Sequence, residues 1–263
     1  GDVEVFHEAD DTFSTFIYKT KSKKYLVIGS ASTMSTEYRY LNANSPDGDF
    51  AIFLPREKDH EYSISHYEDR FYIRTNWEAK NFRLMETSED TTGKEYWKEV
   101  ICHRVDVLLE GIELFKDYLV LEERVKGLHT IRVIAWKSGE DYYLYFPDQT
   151  YTAYIGYNPD FDTKIMRYGY TSLTEPSSVL SYNLESKESH VLKQQVVQGG
   201  YSPLDYTSKR LYATASDGKK VPISIVYKKG IKLNGANPMF LYVYGSYGIS
   251  MYPVFFSVLL SFF

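Results

Sequence analysis

Asp117-Tyr118-Leu119-Val120-Leu121 is a polar residue opening an aromatic and aliphatic strand, and the chain repeats that layout three more times. The other copies are Lys24-Tyr25-Leu26-Val27-Ile28, Arg70-Phe71-Tyr72-Ile73-Arg74 and Lys164-Ile165-Met166-Arg167-Tyr168. Their anchors, Tyr25, Phe71, Tyr118 and Ile165, succeed one another at intervals of 46, 47 and 47 residues. A second strand starts at Tyr38, Phe82, Ile131 and Val179, which lie 13, 11, 13 and 14 residues beyond the anchors. Each repeat therefore carries a hairpin at a fixed place. A third run follows in several copies, as in Phe50-Ala51-Ile52-Phe53, Trp97-Lys98-Glu99-Val100 and Tyr142-Tyr143-Leu144-Tyr145-Phe146. Tyr62-Ser63-Ile64-Ser65 and Tyr154-Ile155-Gly156-Tyr157 precede their anchors and complete four. Four short antiparallel strands in a period of about 40 to 50 residues are what a β-propeller blade needs, because a blade buries its faces only against its neighbours. About four blades are expected over residues 1–193. A β-helix would repeat at a shorter interval, and a helical solenoid would show a 3.6-residue period that these alternating runs lack.

Composition agrees with a β protein. Of 263 residues, 43% are apolar and 25% charged, a globular balance, and the 17% aromatic share includes 26 Tyr. Tyrosines suit half-buried strands whose rings pack while their hydroxyls reach water. The 30 basic and 35 acidic residues give a net charge of −5 with no Lys/Arg block to track a phosphate backbone, so no nucleic-acid partner is expected. The single cysteine, Cys102, excludes an intrachain disulfide and a Cys-based zinc cluster. It reads as a small buried hydrophobe in Val100-Ile101-Cys102 and fits a reducing compartment, so a cytoplasmic location is expected. Gly1-Asp2-Val3-Glu4-Val5-Phe6 has neither the basic nor the apolar region of a signal peptide. Val254–Phe263 is strongly apolar but only ten residues long, against the ~20 that cross a bilayer, so it reads as a core segment and no membrane partner is expected.

Past Leu192 the pattern changes. Residues 194–205, including Gly199-Gly200-Tyr201-Ser202-Pro203, form a polar connector. Beyond it, Arg210–Ala215 and Val221–Tyr227 flank Ser216-Asp217-Gly218-Lys219-Lys220, and Asp-Gly between alternating runs signals a hairpin. Then comes Pro238-Met239-Phe240-Leu241-Tyr242-Val243-Tyr244, expected to be a buried strand, emptying into Gly245-Ser246-Tyr247-Gly248.

These last residues carry a family pattern. Thr214-Ala215-Ser216-Asp217-Gly218, Val221-Pro222-Ile223-Ser224, Asn237-Pro238 and Tyr242-Val243-Tyr244-Gly245-Ser246-Tyr247-Gly248 resemble the start of the catalytic domain of prolyl oligopeptidase family serine peptidases. Phe53-Leu54-Pro55-Arg56-Glu57-Lys58-Asp59-His60-Glu61-Tyr62-Ser63, Leu109-Glu110-Gly111 and Arg167-Tyr168-Gly169-Tyr170-Thr171-Ser172 resemble the propeller of the same family. The resemblance implies a seven-bladed propeller over an α/β-hydrolase domain that cleaves short peptides after Arg or Lys. On that basis the chain is expected to be mainly β, the C-terminal half of the propeller followed over 206–263 by the first strands of the hydrolase. The family's Ser nucleophile, in a Gly-x-Ser-x-Gly elbow, and its Asp and His would lie beyond Phe263, leaving this stretch inactive alone. Its implied partners are short, basic peptides and the remainder of its own hydrolase domain. No cofactor and no metal are implied.

The resemblance also assigns roles. The second tyrosine of the family's Tyr-Gly-Tyr-Gly pattern lends its hydroxyl to the oxyanion hole, and that position is Tyr244 here; the pattern's first Gly is Val243. Tyr247 falls where the family places an aromatic wall of the S1 pocket. From the residues alone Tyr244 reads as a core or rim tyrosine bonded to backbone, and Tyr247 equally as a packing residue of the turn. Ser246 is discounted as nucleophile, because the elbow needs Gly where Tyr244 stands. All six histidines, His7, His60, His66, His103, His129 and His190, also precede it, whereas an α/β-hydrolase places its His last. His60 and His66 read as solvated loop residues without zinc-ligand spacing. Glu122-Glu123-Arg124 reads as strand-edge polarity and Asp47-Gly48-Asp49 as a turn. The competing functional class is a non-catalytic β-propeller that binds a partner across one face.

Overall fold

The structure, a computed structural model, describes residues 3–262; Gly1, Asp2 and Phe263 lie outside the described residues. Contacts divide the chain into two compact units, residues 1–111 and 112–263.

The first unit begins with the antiparallel sheet β1 (Ser14–Lys19), β2 (Tyr25–Ala31), β3 (Thr36–Asn42) and β4 (Ala51–Leu54), paired in chain order. A second sheet follows in the same order, with β5 (Tyr62–Tyr67), β6 (Arg70–Thr75), β7 (Arg83–Ser88) and β8 (Lys98–Ile101). These are blades 1 and 2. Tyr25, Val27, Tyr38 and Phe53 of the first pack with Tyr62, Ile64, Phe71, Ile73, Met85 and Trp97 of the second in one core. At its centre the Phe71 ring, fully buried, meets Tyr25 at 5.2 Å and Phe53 edge-on at 5.0 Å. Burial of large rings on facing sheets is the main favourable term here.

Strands β9 (Val107–Leu114), β10 (Tyr118–Val125), β11 (Leu128–Ala135) and β12 (Asp141–Tyr143) form blade 3. Blade 4 holds β13 (Tyr151–Ile155), β14 (Ile165–Ser172), β15 (Ser178–Asn183) and β16 (Ser189–Gln194). A single parallel bridge, His129 to Thr152, joins them into one sheet. Phe115, Val120, Ile131 and Val133 share a core with Ala153, Met166, Tyr168, Tyr182 and Leu184. The β10–β11 hairpin closes through Lys126 and Gly127, both with positive φ, 50° and 76°. Two positive-φ residues give the turn whose twist matches its strands, and Gly127 supplies one without steric cost.

All four anchors lie on the second strand of a blade, so the 46- and 47-residue spacing marks the blade repeat. The Asp217-Gly218 hairpin is present as well: β17 (Tyr206–Thr214) pairs with β18 (Lys220–Lys228) from Tyr206↔Lys228 to Thr214↔Lys220.

Several local expectations are corrected. Residues 238–244 form no strand, and Met239, Phe240, Leu241, Tyr242 and Val243 are exposed; a strand needs a ladder partner, and the chain provides none there. Among the described side chains of the apolar tail only Phe255 is buried, while Phe256 and Val258 are exposed. Cys102 is exposed, because it follows the end of β8 and leaves the sheet. His60 and His66 are buried rather than solvated. His66 keeps step with inward Tyr62 and Ile64 along β5, and His60 Nε2 lies 2.8 Å from Thr75 Oγ1. Glu123 is fully buried instead of lining an edge.

Candidate functional site

The segment after β18 is held at its start by Lys229 N–H donating to Asp205 O at 2.7 Å, then runs irregularly to the tyrosine turn. Gly245, at φ 101°, opens a single 3-10 turn over Ser246–Gly248, closed by Ile249 N–H to Ser246 O at 3.0 Å. That left-handed φ is open to glycine and costly for other residues. Tyr247 follows with φ 53°, a conformation uncommon for a bulky side chain. Tyr244 is 56% exposed and Tyr247 82%. Among the described residues the Tyr244 hydroxyl makes no hydrogen bond. The turn thus presents two tyrosines on a backbone that only the glycine allows.

Past the turn the chain returns to blades 3 and 4. Arg124 at the end of β10 donates from Nη1 to Ser250 Oγ at 2.9 Å and from Nη2 to the Tyr252 hydroxyl. His129 of β11 meets the Tyr252 ring edge-on at 4.2 Å. Its Nδ1 lies 3.7 Å from Glu122 Oε1, while Glu122 Oε2 accepts the Ile155 N–H at 3.3 Å. Thr152 Oγ1 donates to Pro253 O at 3.3 Å, and Thr171 Oγ1 accepts the Phe255 N–H at 3.1 Å.

Beside this seam, Lys126, Thr130, Tyr143, Tyr151, Arg210 and Tyr212 line a cleft of about 450 Å³. Arg210 crosses it, donating to Lys126 O at 3.0 Å and to Ser224 Oγ at 2.6 Å, and so ties β17 and β18 to the β10–β11 turn. Below, Glu123 accepts the Tyr143 hydroxyl at 2.5 Å and Arg132 Nη1 at 3.4 Å. Asp141 and Glu123 raise the Arg132 pKa, so its charge is permanent there.

No arrangement around Ser246 resembles a triad: among the described residues its side chain reaches no histidine. A Ser–His–carboxylate chain does occur in the first unit, with Ser22 Oγ 2.9 Å from His66 Nδ1 and His66 Nε2 3.1 Å from Glu89 Oε2. Lys24 Nζ at 2.5 Å and the Tyr25 hydroxyl at 3.0 Å share that same Glu89 oxygen. Burial lowers the His66 pKa against the pull of Glu89, and the Lys24 ammonium lowers that of Glu89. The His66 ring is 2% exposed and Ser22 Oγ also pairs with Thr20 Oγ1 at 2.9 Å. An imidazole so enclosed has no route to a substrate, so the cluster is a strut tying blade 1 to blade 2. Sequence reasoning missed this cluster, Glu123 and Arg124. The usable signal was phase: His66 alternates with Tyr62 and Ile64, and Glu123 with Leu119 and Leu121.

A family model described as prolyl oligopeptidase, N-terminal beta-propeller domain, matches residues 1–195. The chain belongs to the prolyl oligopeptidase family. It is 40% identical over 256 residues to dipeptidyl aminopeptidase BI of Pseudoxanthomonas mexicana, a match covering 97% of this chain and 35% of that protein. To protease 2 of Moraxella lacunata it is 31% identical over 255 residues, covering 97% and 36%. Among solved structures, oligopeptidase B from Trypanosoma brucei with covalently bound antipain matches at a TM-score of 0.87 and 30% identity, over 97% of this chain and 38% of that one. Oligopeptidase B from Leishmania major matches at 0.87 and 27%, over 97% and 37%. The motif resemblance thus holds at the level of the family, and the chain spans about a third of the length of these relatives.

Proposed function

We propose that this sequence is the C-terminal half of the propeller, over residues 1–193, and the opening strands of the hydrolase domain of a serine oligopeptidase, with residues 194–205 as the connector and 206–263 as the hydrolase part. The observation that carries the reading is a family propeller followed, past the β17–β18 hairpin, by an exposed tyrosine turn whose exit is tied to blades 3 and 4. Tyr244 is the oxyanion-hole donor and Tyr247 a wall of the pocket for the residue before the scissile bond. A donor poised where negative charge develops is the largest single contribution such a site makes. The nucleophile and its Asp and His come from sequence outside these residues. Exposed Met239, Phe240, Leu241, Tyr242 and Val243 form the face that the rest of the hydrolase domain covers, since an apolar run of this length is costly in water. The propeller limits entry to short peptides, cleaved after Arg or Lys, in the cytoplasm.

A second specificity, release of dipeptides from a free N-terminus, is favoured by the name of the 40% identical relative. The full-length protein assayed with blocked and unblocked fluorogenic peptides, ending in Arg, Lys or Pro before the reporter, separates the two. The expected result is turnover of blocked Arg and Lys substrates, abolished by a phosphonofluoridate, with none from the 263-residue chain alone. Turnover confined to unblocked dipeptides would transfer the assignment to the second reading, and turnover by the isolated chain would overturn both.

A further inference from the structure

Tyr242–Tyr247 is exposed throughout, whereas the residues directly after the turn are tied down. The first fixed side chains past Tyr244 are Ser250 and Tyr252, and one guanidinium holds both. Arg124 also lies over the Tyr252 ring, with its guanidinium carbon 5.2 Å from the centroid, while His129 meets the ring edge-on at 4.2 Å. Phe255, 6% exposed against Tyr201 at 5.0 Å, finishes the seam. The base of the clamp is rigid. Arg124 lies on β10 three residues past Leu121, in a strand whose Leu119, Val120 and Leu121 are each fully buried. A planar fork with two donors in fixed geometry sets the spacing of its two acceptors, which a flexible ammonium cannot.

We infer that Arg124 is a positioning residue for the peptidase reaction: by clamping Ser250 and Tyr252 it fixes the exit of the tyrosine turn and thereby the place of the Tyr244 hydroxyl. The propeller then contributes to the chemistry as well as to substrate access, because the oxyanion donor is located by blade 3. This inference rests on the oxyanion role proposed for Tyr244. A displacement of the donor by about 1 Å is enough to cost 10- to 100-fold in rate. Tyr247 shares the turn, so KM rises modestly when the clamp is lost, while the part of the loss that depends on the Tyr244 hydroxyl falls on kcat.

The test is a double-mutant cycle in the full-length peptidase, using Arg124→Met, Arg124→Lys, Tyr244→Phe and Arg124→Met with Tyr244→Phe. Hydrogen exchange over residues 242–256 is measured on the same proteins. Arg124→Met is expected to lower kcat by about 10-fold or more with KM changed less than about threefold, and Arg124→Lys to recover part of it. In the Tyr244→Phe background, Arg124→Met is expected to cost less than about twofold, since both changes remove one interaction. Exchange over 242–256 is expected to rise in Arg124→Met while the blades stay protected. Equal losses from Arg124→Met in both backgrounds, or unchanged exchange over 242–256, would overturn the clamp whatever Tyr244→Phe does. Failure of the oxyanion reading shows separately, as Tyr244→Phe at wild-type kcat.

Discussion

Leu119-Val120-Leu121 and Phe240-Leu241-Tyr242-Val243 are both short runs of strand-forming apolar residues, and they end in opposite states. In β10 each of the three is 0% exposed, paired on one side with β11. In the second run the exposures are 63, 65, 68 and 67%, with no ladder at all. Intrinsic preference is similar; the neighbours differ. A strand exists when its N–H and C=O groups find a partner and its side chains a facing layer, and blade 3 brings both from within its own 47-residue repeat. Residues 240–243 have neither among the described residues, which is why their proposed partner is the remainder of the hydrolase.

The sharpest contrast comes from matched truncations. Phe71→Ala removes the ring that joins blades 1 and 2 and should cost about 3–5 kcal/mol. Phe240→Ser removes a ring of equal size from the exposed run and should change stability by less than about 0.5 kcal/mol while reducing self-association. Urea unfolding followed by tryptophan emission reads both, because Trp77 and Trp97 pack at the Phe71 core and Trp136 lies in the second unit with Phe240. Comparable losses from the two changes would mean that the 240–243 face is already covered.

A smaller effect separates the units by pH. Burial, with the nearby Lys94 charge, lowers the His60 pKa from 6.5 to about 4, opposed weakly by Glu57. The folded state therefore binds fewer protons than the unfolded chain over that range. Stability is fully present above pH 6.5 and falls, by up to about 3 kcal/mol, as pH drops toward 4. Blade 2 should loosen first on acidification. His60→Gln, which can still reach Thr75 Oγ1, should flatten the profile between pH 6.5 and 4, and an unchanged slope would remove His60 as its origin.

The blades were legible in the sequence because each is a local unit, and the intervals between Tyr25, Phe71, Tyr118 and Ile165 record its length. The β17–β18 hairpin was legible for the same reason, through Asp217-Gly218. His66, Glu123 and Arg124 were not, because a polar residue on an inward strand position is recognised only once its partner is known. Glu89 stands 23 residues from His66, and Ser250 stands 126 from Arg124. The 238–244 run misled for the converse reason: its composition describes a buried strand, but pairing depends on residues outside it. The roles of Tyr244 and Tyr247 came from family resemblance, since among 26 tyrosines no spacing singles them out.

The most direct measurement is the steady-state kinetics of Tyr244→Phe in the full-length protein on a blocked Arg substrate. Loss of one oxyanion donor should lower kcat by about 100- to 1000-fold and leave KM within about threefold of wild type. A kcat within twofold of wild type would contradict the assignment of the tyrosine turn to the oxyanion hole.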